Sequence, residues 1–333
     1  MNRYNIAIVG AAGAVGKEII KILEERNFPI NELRLFATEK SCGTNIPFKG
    51  RNIEVTRICE NSFDDIDFAL FSAGTEASTN HTPLAVNSGA IVIDNSNAFR
   101  METGVPLVVP EVNPQDAFIH KGIIANPNCS TIQMVVALKP IYDKVGIKRI
   151  IVSTYQSVSG TGKRAIEELE HQAKAVLNSE QITTEIYPHQ IAFNVLPHID
   201  VFEENGYTRE EMKMVNETKK ILGDDEIFVN ATCVRVPVIT GHAESVFVET
   251  KEDCSLEDFK ETLNNFPGVK TIVGANLYPM PINTENDDDI LVGRIRKFKE
   301  CEFNLWIVAN NLRKGAALNA VQIAELLLSR NDS

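Results

Sequence analysis

Cys129 is the residue of this sequence whose setting best suits nucleophilic chemistry. It stands in the segment Asn126-Pro127-Asn128-Cys129-Ser130-Thr131, directly before an apolar run with helical spacing. This pattern predicts that the thiol lies in the first turn of a helix, where backbone N–H groups favour a thiolate and can also bind an oxyanion. The six cysteines are dispersed without C-x-x-C spacing, so the sequence predicts neither a structural zinc site nor a disulfide framework.

Two later segments carry side chains that complement a thiol. Residues 154–162 end a β-rich run in a polar glycine turn that contains Gln156, whose amide can orient a carbonyl group. Residues 235–245 place Arg235 on a β-rich run and His242 directly after a glycine. Imidazole suits proton transfer near neutral pH, and the planar guanidinium suits bidentate binding of a carboxylate.

Residues 208–213 predict the start of a helix. Thr208 and Glu211 have the spacing of a capping box, while Glu210 and Lys213 lie three positions apart on one helical face. The pair is either a surface ion pair or a shared contact to a charged ligand.

A glycine-rich loop lies near the start of the chain. Residues 10–16 read G-x-x-G-x-x-G, one residue looser than the usual dinucleotide fingerprint, between an apolar strand and a helix. The glycines would let the backbone approach a pyrophosphate at the helix N-terminus, the alternative being a plain tight turn. After the second strand, where NAD-specific enzymes place an acidic residue, stand Thr38, Glu39, Lys40 and Ser41. Three of these four can hold a 2′-phosphate, which favours NADP over NAD.

The elements that must position these groups fall into two regions. The first 130 residues alternate short β-rich runs with helical patterns, which predicts βαβ units and a mostly parallel sheet. From Lys148 onward longer β runs, partly alternating, predict a mainly antiparallel sheet. We therefore predict an α/β protein with a Rossmann-like, doubly wound dinucleotide-binding domain over residues 1–129 plus a C-terminal helix over 313–333. An α+β catalytic domain is predicted over residues 130–312.

Composition narrows the partners. The chain has 33 Lys and Arg against 45 Asp and Glu, a net charge of -12 over 333 residues, so we expect no binding to nucleic acid. Its apolar stretches are far shorter than the roughly 18 residues of a membrane-spanning helix. The first residues show no secretion signal, and the cytoplasm is the expected location.

Seven stretches together resemble bacterial-type aspartate-β-semialdehyde dehydrogenase over essentially the whole chain. They are residues 9–16, 95–100, 108–113, 126–131, 155–160, 235–237 with 241–242, and 311–317. The resemblance implies NADPH-dependent reductive dephosphorylation of β-aspartyl phosphate to aspartate β-semialdehyde through a cysteine thioester. It also implies a role in the biosynthesis of lysine and diaminopimelate, threonine and methionine, a homodimer, NADP(H) as cofactor and no metal.

The resemblance also assigns roles to individual residues. Cys129 is implied as the nucleophile, His242 as the acid/base and Gln156 as the amide that orients the substrate. The implied substrate-binding residues are Arg235 for the α-carboxylate, Glu210 for the amino group, Arg100 and Lys213 for the phosphate, and Asn128. The implied cofactor-binding residues are Gly10, Gly13, Ala14, Val15, Gly16, Thr38, Lys40, Ser41, Ser159, Gly160 and Asn311.

Two alternatives and two departures accompany this interpretation. N-acetyl-γ-glutamyl-phosphate reductase shares the acyl-phosphate chemistry, but the Glu210/Lys213 pair and residues 97–100 argue against it. A non-catalytic NADP-binding sensor would tolerate the loss of Cys129. The family often has Asp where this chain has Asn310, and residues 41–44 lack a lysine that relatives often carry, which leaves the 2′-phosphate contacts open.

Overall fold

The computed structural model describes residues 2–285 and 287–329, except for the side chain of Ser329. The chain divides into two compact units, the first of residues 2–128 with 316–329 and the second of residues 129–315. The predicted final helix of residues 313–333 includes residues 330–333, which lie outside the described residues.

The elements follow one another in chain order. Residues 2–128 contain β1 (Tyr4–Val9), α1 (Ala14–Glu25), β2 (Ile30–Phe36), β3 (Asn45–Phe48), β4 (Arg51–Thr56), β5 (Phe68–Phe71), α2 (Thr75–Asn87), β6 (Ile91–Asp94) and β7 (Ile123–Ala125). The second unit contains α3 (Cys129–Val145), β8 (Ile147–Gln156), α4 (Lys163–Leu177), α5 (Arg209–Leu222), β9 (Phe228–Arg235), β10 (His242–Thr250), α6 (Leu256–Asn264), β11 (Val269–Ile272), β12 (Ile290–Lys299) and β13 (Glu302–Ala309). A short π-helical turn (Arg313–Ala317) then leads into α7 (Leu318–Ser329) of the first unit.

The first unit is built on a seven-stranded sheet in the order β3-β4-β2-β1-β5-β6-β7. Every pairing is parallel except the β3–β4 hairpin, which confirms the predicted doubly wound class. The apolar stripe of α1, with Ile19, Ile20 and Leu23, lies in one hydrophobic core with Val321 and Ala324 of α7. Because α7 belongs to this core, the end of the chain completes the first unit.

The second unit is built on a six-stranded sheet in the order β11-β12-β13-β10-β8-β9. Its central pairings are antiparallel, as predicted, while the two edge pairings, β11–β12 and β8–β9, are parallel. Helices α3, α5 and α6 contact this sheet. Along β8 the residues Val152, Thr154 and Gln156 are buried, while Ile151 and Tyr155 on the opposite face are exposed.

No helix within the described ranges is long and apolar enough to cross a membrane.

Candidate active site

As its sequence context predicts, Cys129 lies in the first turn of a helix, as the first residue of α3. Its side chain is half-buried. Gly315, just before the chain re-enters the first unit, lies close to the Cys129 Cβ. A Cβ placed on Gly315 would lie 2.9 Å from the Cys129 Cβ and 3.4 Å from its Cα, so a residue larger than glycine would displace the thiol. Gly315 belongs to a stretch that the sequence singled out, but its role was not predicted.

Three predicted side chains stand together at one end of the second unit's sheet. Gln156 pairs with Arg235 across β8 and β9, and Tyr155 pairs with Ala243 across β8 and β10, which aligns the end of β8 with the start of β10 at His242. Because side chains alternate along a strand, Arg235, Gln156 and His242 form one row on the buried face. All three are at most 5% exposed.

The Gln156 amide connects this row to α3 and α5. Its Nε2 donates to Ser130 Oγ at 2.6 Å, in the first turn of α3, and to Glu210 Oε1 at 3.2 Å. These hydrogen bonds bring the end of the strand row to the turn that begins with Cys129. Both N–H groups of the amide are engaged by the protein, which leaves its carbonyl side as the part open to a ligand.

His242 is fully buried at the start of β10. Its Nδ1 accepts from the Ser157 backbone N–H at 3.1 Å, so the neutral ring carries its proton on Nε2. Within the described part of the chain, Nε2 has no hydrogen-bonding partner. Burial and the nearby Arg235 charge lower the pKa of His242 to about 3, against a weaker opposing effect of Glu210. The ring is therefore a neutral N–H donor before ligand binds.

Arg235 is held at the end of β9 with its guanidinium buried. Its NH1 donates to the Ser157 carbonyl at 2.6 Å, while Nε has no partner among the described residues. Gly160 lies against the guanidinium of Arg235 and the imidazole of His242. A Cβ on Gly160 would lie 3.2 Å from Arg235 NH1 and 3.3 Å from His242 Nε2. Glycine at this position lets Arg235 and His242 share one small space.

Glu210 and Lys213, which the sequence places on one face of α5 as either an ion pair or a shared ligand contact, form an ion pair. Lys213 Nζ lies 3.0 Å from Glu210 Oε2 and 2.8 Å from Asp200 Oδ2. Burial alone would lower the pKa of Lys213, but the two carboxylates outweigh it and raise the pKa. A phosphate would have to compete with both carboxylates for this ammonium group.

The predicted capping box positions this pair. The Thr208 side chain accepts from the Glu211 N–H at 3.3 Å, and Glu211 Oε2 accepts from the Thr208 N–H at 2.7 Å. The other oxygen of Glu211 accepts from the Cys233 N–H at 3.0 Å, which ties the start of α5 to β9. The capping box is thus confirmed, and it fixes the helix turn that carries Glu210.

Asn311 and Ser159, predicted to contact the cofactor, are buried and bonded to each other. Asn311 Oδ1 accepts from the Gly241 N–H at 2.9 Å, from Ser159 Oγ at 3.1 Å and from Ser157 Oγ at 3.2 Å. The asparagine therefore fastens the turn after β8 to the turn before β10. Its hydrogen bonds are internal to the second unit.

A second row of buried polar groups lies on the same face of the sheet, two residues away from the first row along each strand. Thr154 pairs with Cys233 on one side and with Glu244 on the other. Glu244 is fully buried, and among the described residues neither carboxyl oxygen has a partner at hydrogen-bonding distance. Burial raises the pKa of Glu244 well above its usual value, with the amide of Gln133 as the weaker opposing influence. Burial likewise raises the pKa of the Cys233 thiol, so this thiol does not form a thiolate and is unreactive.

The glycine loop of the first unit borders a pocket of about 550 Å³. Gly10, Gly13, Thr38 and Ser41 line it, whereas Ala14, Val15, Gly16 and Lys40 are not among its lining residues in the described part of the chain. Gly10 has a φ of +88° and lies against the Ser72 carbonyl, and a Cβ on Gly16 would collide with the Gly10 carbonyl oxygen. Gly16 therefore closes the loop onto α1 and does not face the pocket.

Arg57 is a pocket residue that the sequence did not identify. It lines the same pocket as Thr38 and Ser41, and its NH2 lies 3.0 Å from Glu39 Oε2. Both side chains are well exposed, 62% for Arg57 and 77% for Glu39. Arg57 immediately follows β4, beside β2 in the sheet, so its location at the carboxyl edge of two parallel strands was the available signal.

Arg100 and Asn128, the remaining predicted substrate residues, are buried in the first unit. Arg100 donates from Nε to the Asn126 carbonyl at 2.9 Å and from NH2 to the Asn95 carbonyl at 2.8 Å. These contacts fix the guanidinium against the loops that follow β6 and β7. Within the described residues, no cluster of His, Cys, Asp and Glu is arranged to hold a metal ion.

Comparison with known families divides the chain much as the structure does. Residues 5–119 match the model described as "Semialdehyde dehydrogenase, NAD binding domain", and residues 138–314 match "Semialdehyde dehydrogenase, dimerisation domain". Each match lies within one of the two units.

Individual relatives are similar over nearly their full length. Aspartate-semialdehyde dehydrogenase of Aquifex aeolicus is 57% identical, with 98% of each chain covered, and that of Legionella pneumophila is 54% identical, with 98% of this chain and 96% of the relative covered. A crystal structure of aspartate semialdehyde dehydrogenase II from Vibrio cholerae, described as complexed with ASA, superposes with a TM-score of 0.97 at 50% identity. It covers 99% of each chain. These matches confirm the resemblance carried by the seven motifs, and the chain belongs to the aspartate-semialdehyde dehydrogenase family.

Proposed function

We propose that this chain reduces β-aspartyl phosphate to aspartate β-semialdehyde with NADPH, releasing phosphate, in the biosynthesis of lysine and diaminopimelate, threonine and methionine. The observation that carries this proposal is the 2.6 Å hydrogen bond from Gln156 to Ser130. It joins the helix turn that begins with Cys129 to the strand row that holds Arg235 and His242. A nucleophile, a carboxylate anchor and an imidazole are the groups that this reaction needs.

Cys129 performs the covalent step. Its thiolate attacks the acyl phosphate carbon, a C–S bond forms, the C–O bond to phosphate breaks, and the thioester that results accepts hydride more readily than a carboxylate would. A bound nicotinamide coenzyme supplies that hydride. The tetrahedral thiohemiacetal anion then re-forms its carbonyl group and returns the electron pair to the sulfur of Cys129, which releases the aldehyde.

His242 stabilises the oxyanion of this sequence. Its Nε2–H is the free donor of a neutral ring, and donors aimed at a developing oxyanion contribute roughly 100- to 1,000-fold to the rate. The Arg235 charge is one cause of the low pKa of His242. A substrate carboxylate on Arg235 neutralises that charge, so substrate binding raises the pKa of His242, whose Nε2–H remains the donor to the oxyanion.

The charged groups of the substrate each have a counterpart. Arg235 binds the α-carboxylate through its planar guanidinium, and Glu210 receives the α-ammonium group. Lys213 is the second unit's candidate for binding the phosphate, and Arg100 and Asn128 are, by family resemblance, the substrate-binding positions of the first unit. Gln156 orients the reacting carbonyl group.

The pocket of the first unit suits an NADP coenzyme. Its glycine loop lies at the N-terminus of α1, which favours a pyrophosphate, and Gly10 and Gly13 line the pocket there. Thr38, Ser41 and Lys40 are our candidates for the 2′-phosphate, and Arg57 adds a guanidinium on the same wall. By family resemblance, Ser159, Gly160 and Asn311 are the coenzyme-binding positions of the second unit.

The test is a coupled assay of the purified enzyme. It should oxidise aspartate semialdehyde only with NADP and with phosphate or arsenate present. Cys129→Ser should lose about 10,000-fold or more in turnover and still bind NADPH by fluorescence titration. Cys254→Ser, at a thiol that is not part of the candidate active site, is the matched control and should keep wild-type turnover.

Two results would redirect the assignment. Reduction of N-acetyl-γ-glutamyl phosphate without activity on aspartate semialdehyde would make the chain a reductase for that substrate. Coenzyme binding without turnover of either compound would make it a sensor.

Two copies of the chain associate through the outer face of the second unit's sheet. Ile151, Tyr155 and Phe228 are exposed there, and Trp306 packs on Tyr155 with ring centroids 5.3 Å apart. Exposed apolar residues that share one face of a sheet are typical of an interface. In sedimentation, Tyr155→Asp should yield monomers, whereas Ile119→Asp, at an exposed apolar residue of the first unit, should leave the dimer intact.

The cytoplasm is the proposed location. None of the six cysteines, all among the described residues, forms a disulfide, which suits a reducing compartment.

A further inference from the structure

The segment between α4 and α5 is fastened to α4 by one buried carboxylate. Glu168 Oε2 accepts from the Glu185 N–H at 2.9 Å and from the Ile186 N–H at 2.5 Å, and Glu168 Oε1 accepts from the Tyr187 N–H at 3.4 Å. Three successive backbone donors thus converge on a single side chain that is 7% exposed. Charge-assisted hydrogen bonds of this kind are stronger than neutral ones.

Gln172, one helical turn further along α4, fastens both flanks of the same segment. Its Oε1 accepts from the Ile191 N–H at 2.9 Å and the Ala192 N–H at 3.2 Å, and its Nε2 donates to the Thr183 carbonyl at 2.9 Å. A small apolar cluster closes over these contacts, formed by Val158, Ala165, Leu169, Ile191, Ala192 and Leu196. Tyr187 therefore stands on a segment whose backbone is fixed on either side.

Tyr187 in turn faces Arg235. The guanidinium carbon lies 6.0 Å from the centre of the tyrosine ring, within the range of a cation–π contact. The tyrosine hydroxyl donates to Thr161 Oγ1 at 2.9 Å, in the turn that contains Gly160. Burial raises the pKa of Tyr187, and the Arg235 charge opposes that rise, so the two groups are in electrostatic contact.

The same segment also holds the backbone of Arg235. The Arg235 N–H donates to the Leu196 carbonyl at 2.8 Å, and the Leu196 N–H donates to the Arg235 carbonyl at 2.9 Å. Arg235 is thus held by this segment at its main chain, by the Tyr187 ring at its guanidinium and by the Ser157 carbonyl at NH1. A guanidinium fixed in this way loses little rotational freedom when it binds a carboxylate.

We propose that Tyr187 is a positioning residue that presets Arg235 for the substrate carboxylate, and that Glu168 and Gln172 act by holding Tyr187. The inference rests on the proposed role of Arg235 and deepens it. It makes recognition of the carboxylate depend on a tyrosine that acts through Arg235. The effect belongs to the carboxylate alone, and not to the aldehyde or the coenzyme.

The first test compares Tyr187→Leu with Tyr187→Phe in the intact enzyme. Tyr187→Leu removes the ring and should raise the KM for aspartate semialdehyde about tenfold, with kcat within a factor of about two. Tyr187→Phe keeps the ring and should restore a KM close to that of the wild type. NADPH affinity, measured by fluorescence, should not change in either variant.

The second test uses 3-aminopropanal, which has the amine and the aldehyde of the substrate but lacks its carboxylate. Tyr187→Leu should lower kcat/KM for aspartate semialdehyde about tenfold and leave kcat/KM for 3-aminopropanal unchanged. Equal losses with both aldehydes would mean a merely structural role and would overturn the proposal. So would a wild-type KM in Tyr187→Leu.

The helix provides a matched pair for the supporting residues. Glu168→Gln removes a charged acceptor from the segment and should reproduce the KM increase, whereas Glu167→Gln, at a surface residue paired with Lys163, should have no effect. An equal effect of both would overturn the role of Glu168. If Glu168→Gln fails to fold, the two tyrosine variants still decide the proposal. Failure of the proposed function looks different, since the wild type would then not turn over aspartate semialdehyde.

Discussion

The two units offer their ligands different kinds of surface. In the first, the pocket is shaped by glycine backbone, and its charged pair, Arg57 and Glu39, is well exposed and screened by water. In the second, Arg235, Gln156 and His242 are almost fully buried, and each is fixed by named partners. We therefore expect coenzyme binding to depend mainly on backbone shape, and the proposed chemistry to depend on buried side chains whose properties are set by their neighbours.

The largest effect that tests this contrast concerns the proton affinity of His242. Its pKa should be about 3 in the ligand-free enzyme, against an ordinary value of 6.5, because the buried ring stands beside Arg235. Arg235→Gln should raise it, since one of the two causes is removed. Carbon-detected NMR of labelled histidine in a Cys129→Ser background measures both values. An ordinary pKa of His242 in the Cys129→Ser protein would show that water reaches the ring despite the burial of its side chain.

A smaller effect is expected from Gly315→Ala. The added methyl group would meet Cys129 directly, and displacement of a reacting group by about 1 Å costs roughly 100-fold in rate. We expect kcat to fall by about that factor while NADPH affinity stays at the wild-type level. Gly16→Ala is the counterpart in the first unit and should weaken coenzyme binding without changing the alkylation rate of Cys129. A loss of coenzyme affinity in Gly315→Ala would contradict the separation.

Glu244→Gln tests whether the buried carboxyl is protonated. The folded state keeps the proton because its pKa is raised, while the unfolded chain ionises above about pH 4.5, so the stability of the wild type falls as the pH rises above that value. The variant lacks this dependence. Its free energy of unfolding should gain on the wild type by up to about 1.4 kcal/mol per pH unit, in urea titrations from pH 5 to 8.

Glu249→Gln, on the same strand, is the control for that experiment. Lys148 lowers the pKa of Glu249, so this substitution should leave the slope above pH 5 unchanged. Parallel slopes for wild type and Glu244→Gln would mean that Glu244 is ionised in the fold.

The smallest effect is expected at the exposed pair of the first unit. Arg57→Ala should raise the Kd for NADPH about fivefold and leave that for NADH unchanged, because only the former has a 2′-phosphate. Glu39→Ala should have the opposite sign for NADPH, since it frees Arg57 from its ion pair. Both effects should shrink at high salt. Equal changes for the two coenzymes would exclude Arg57 from the 2′-phosphate contact.

Local signals explain what the sequence could predict. The start of α5 follows from the capping box of Thr208 and Glu211, and the structure ends the helix at Gly223, which has a left-handed φ of 64°. The glycine loop and the start of α3 at Cys129 are equally local. Strands β3 and β7 were not predicted, because β3 contains Pro47, which argues against a strand, and β7 has only three residues.

Contacts between distant segments explain what the sequence could not predict. Arg57 meets Glu39 only because β2 and β4 are neighbours in the sheet. Tyr187 meets Arg235 only because Glu168 of α4 holds the segment that carries Tyr187. The parallel edges of the second sheet are a matter of strand order, which no residue pattern records. No local pattern around Gly315 indicates that this residue approaches Cys129.

That approach has a topological consequence. The second unit is an insertion into the first, and its first residue, Cys129, touches its last, Gly315. Inserted segments whose ends meet can be exchanged between hosts without stretching the chain. Here the join itself carries the proposed nucleophile, Cys129. A graft of residues 129–315 into a related host would transplant the thiol and its glycine together, whereas a cut only a few residues inside either end would separate them.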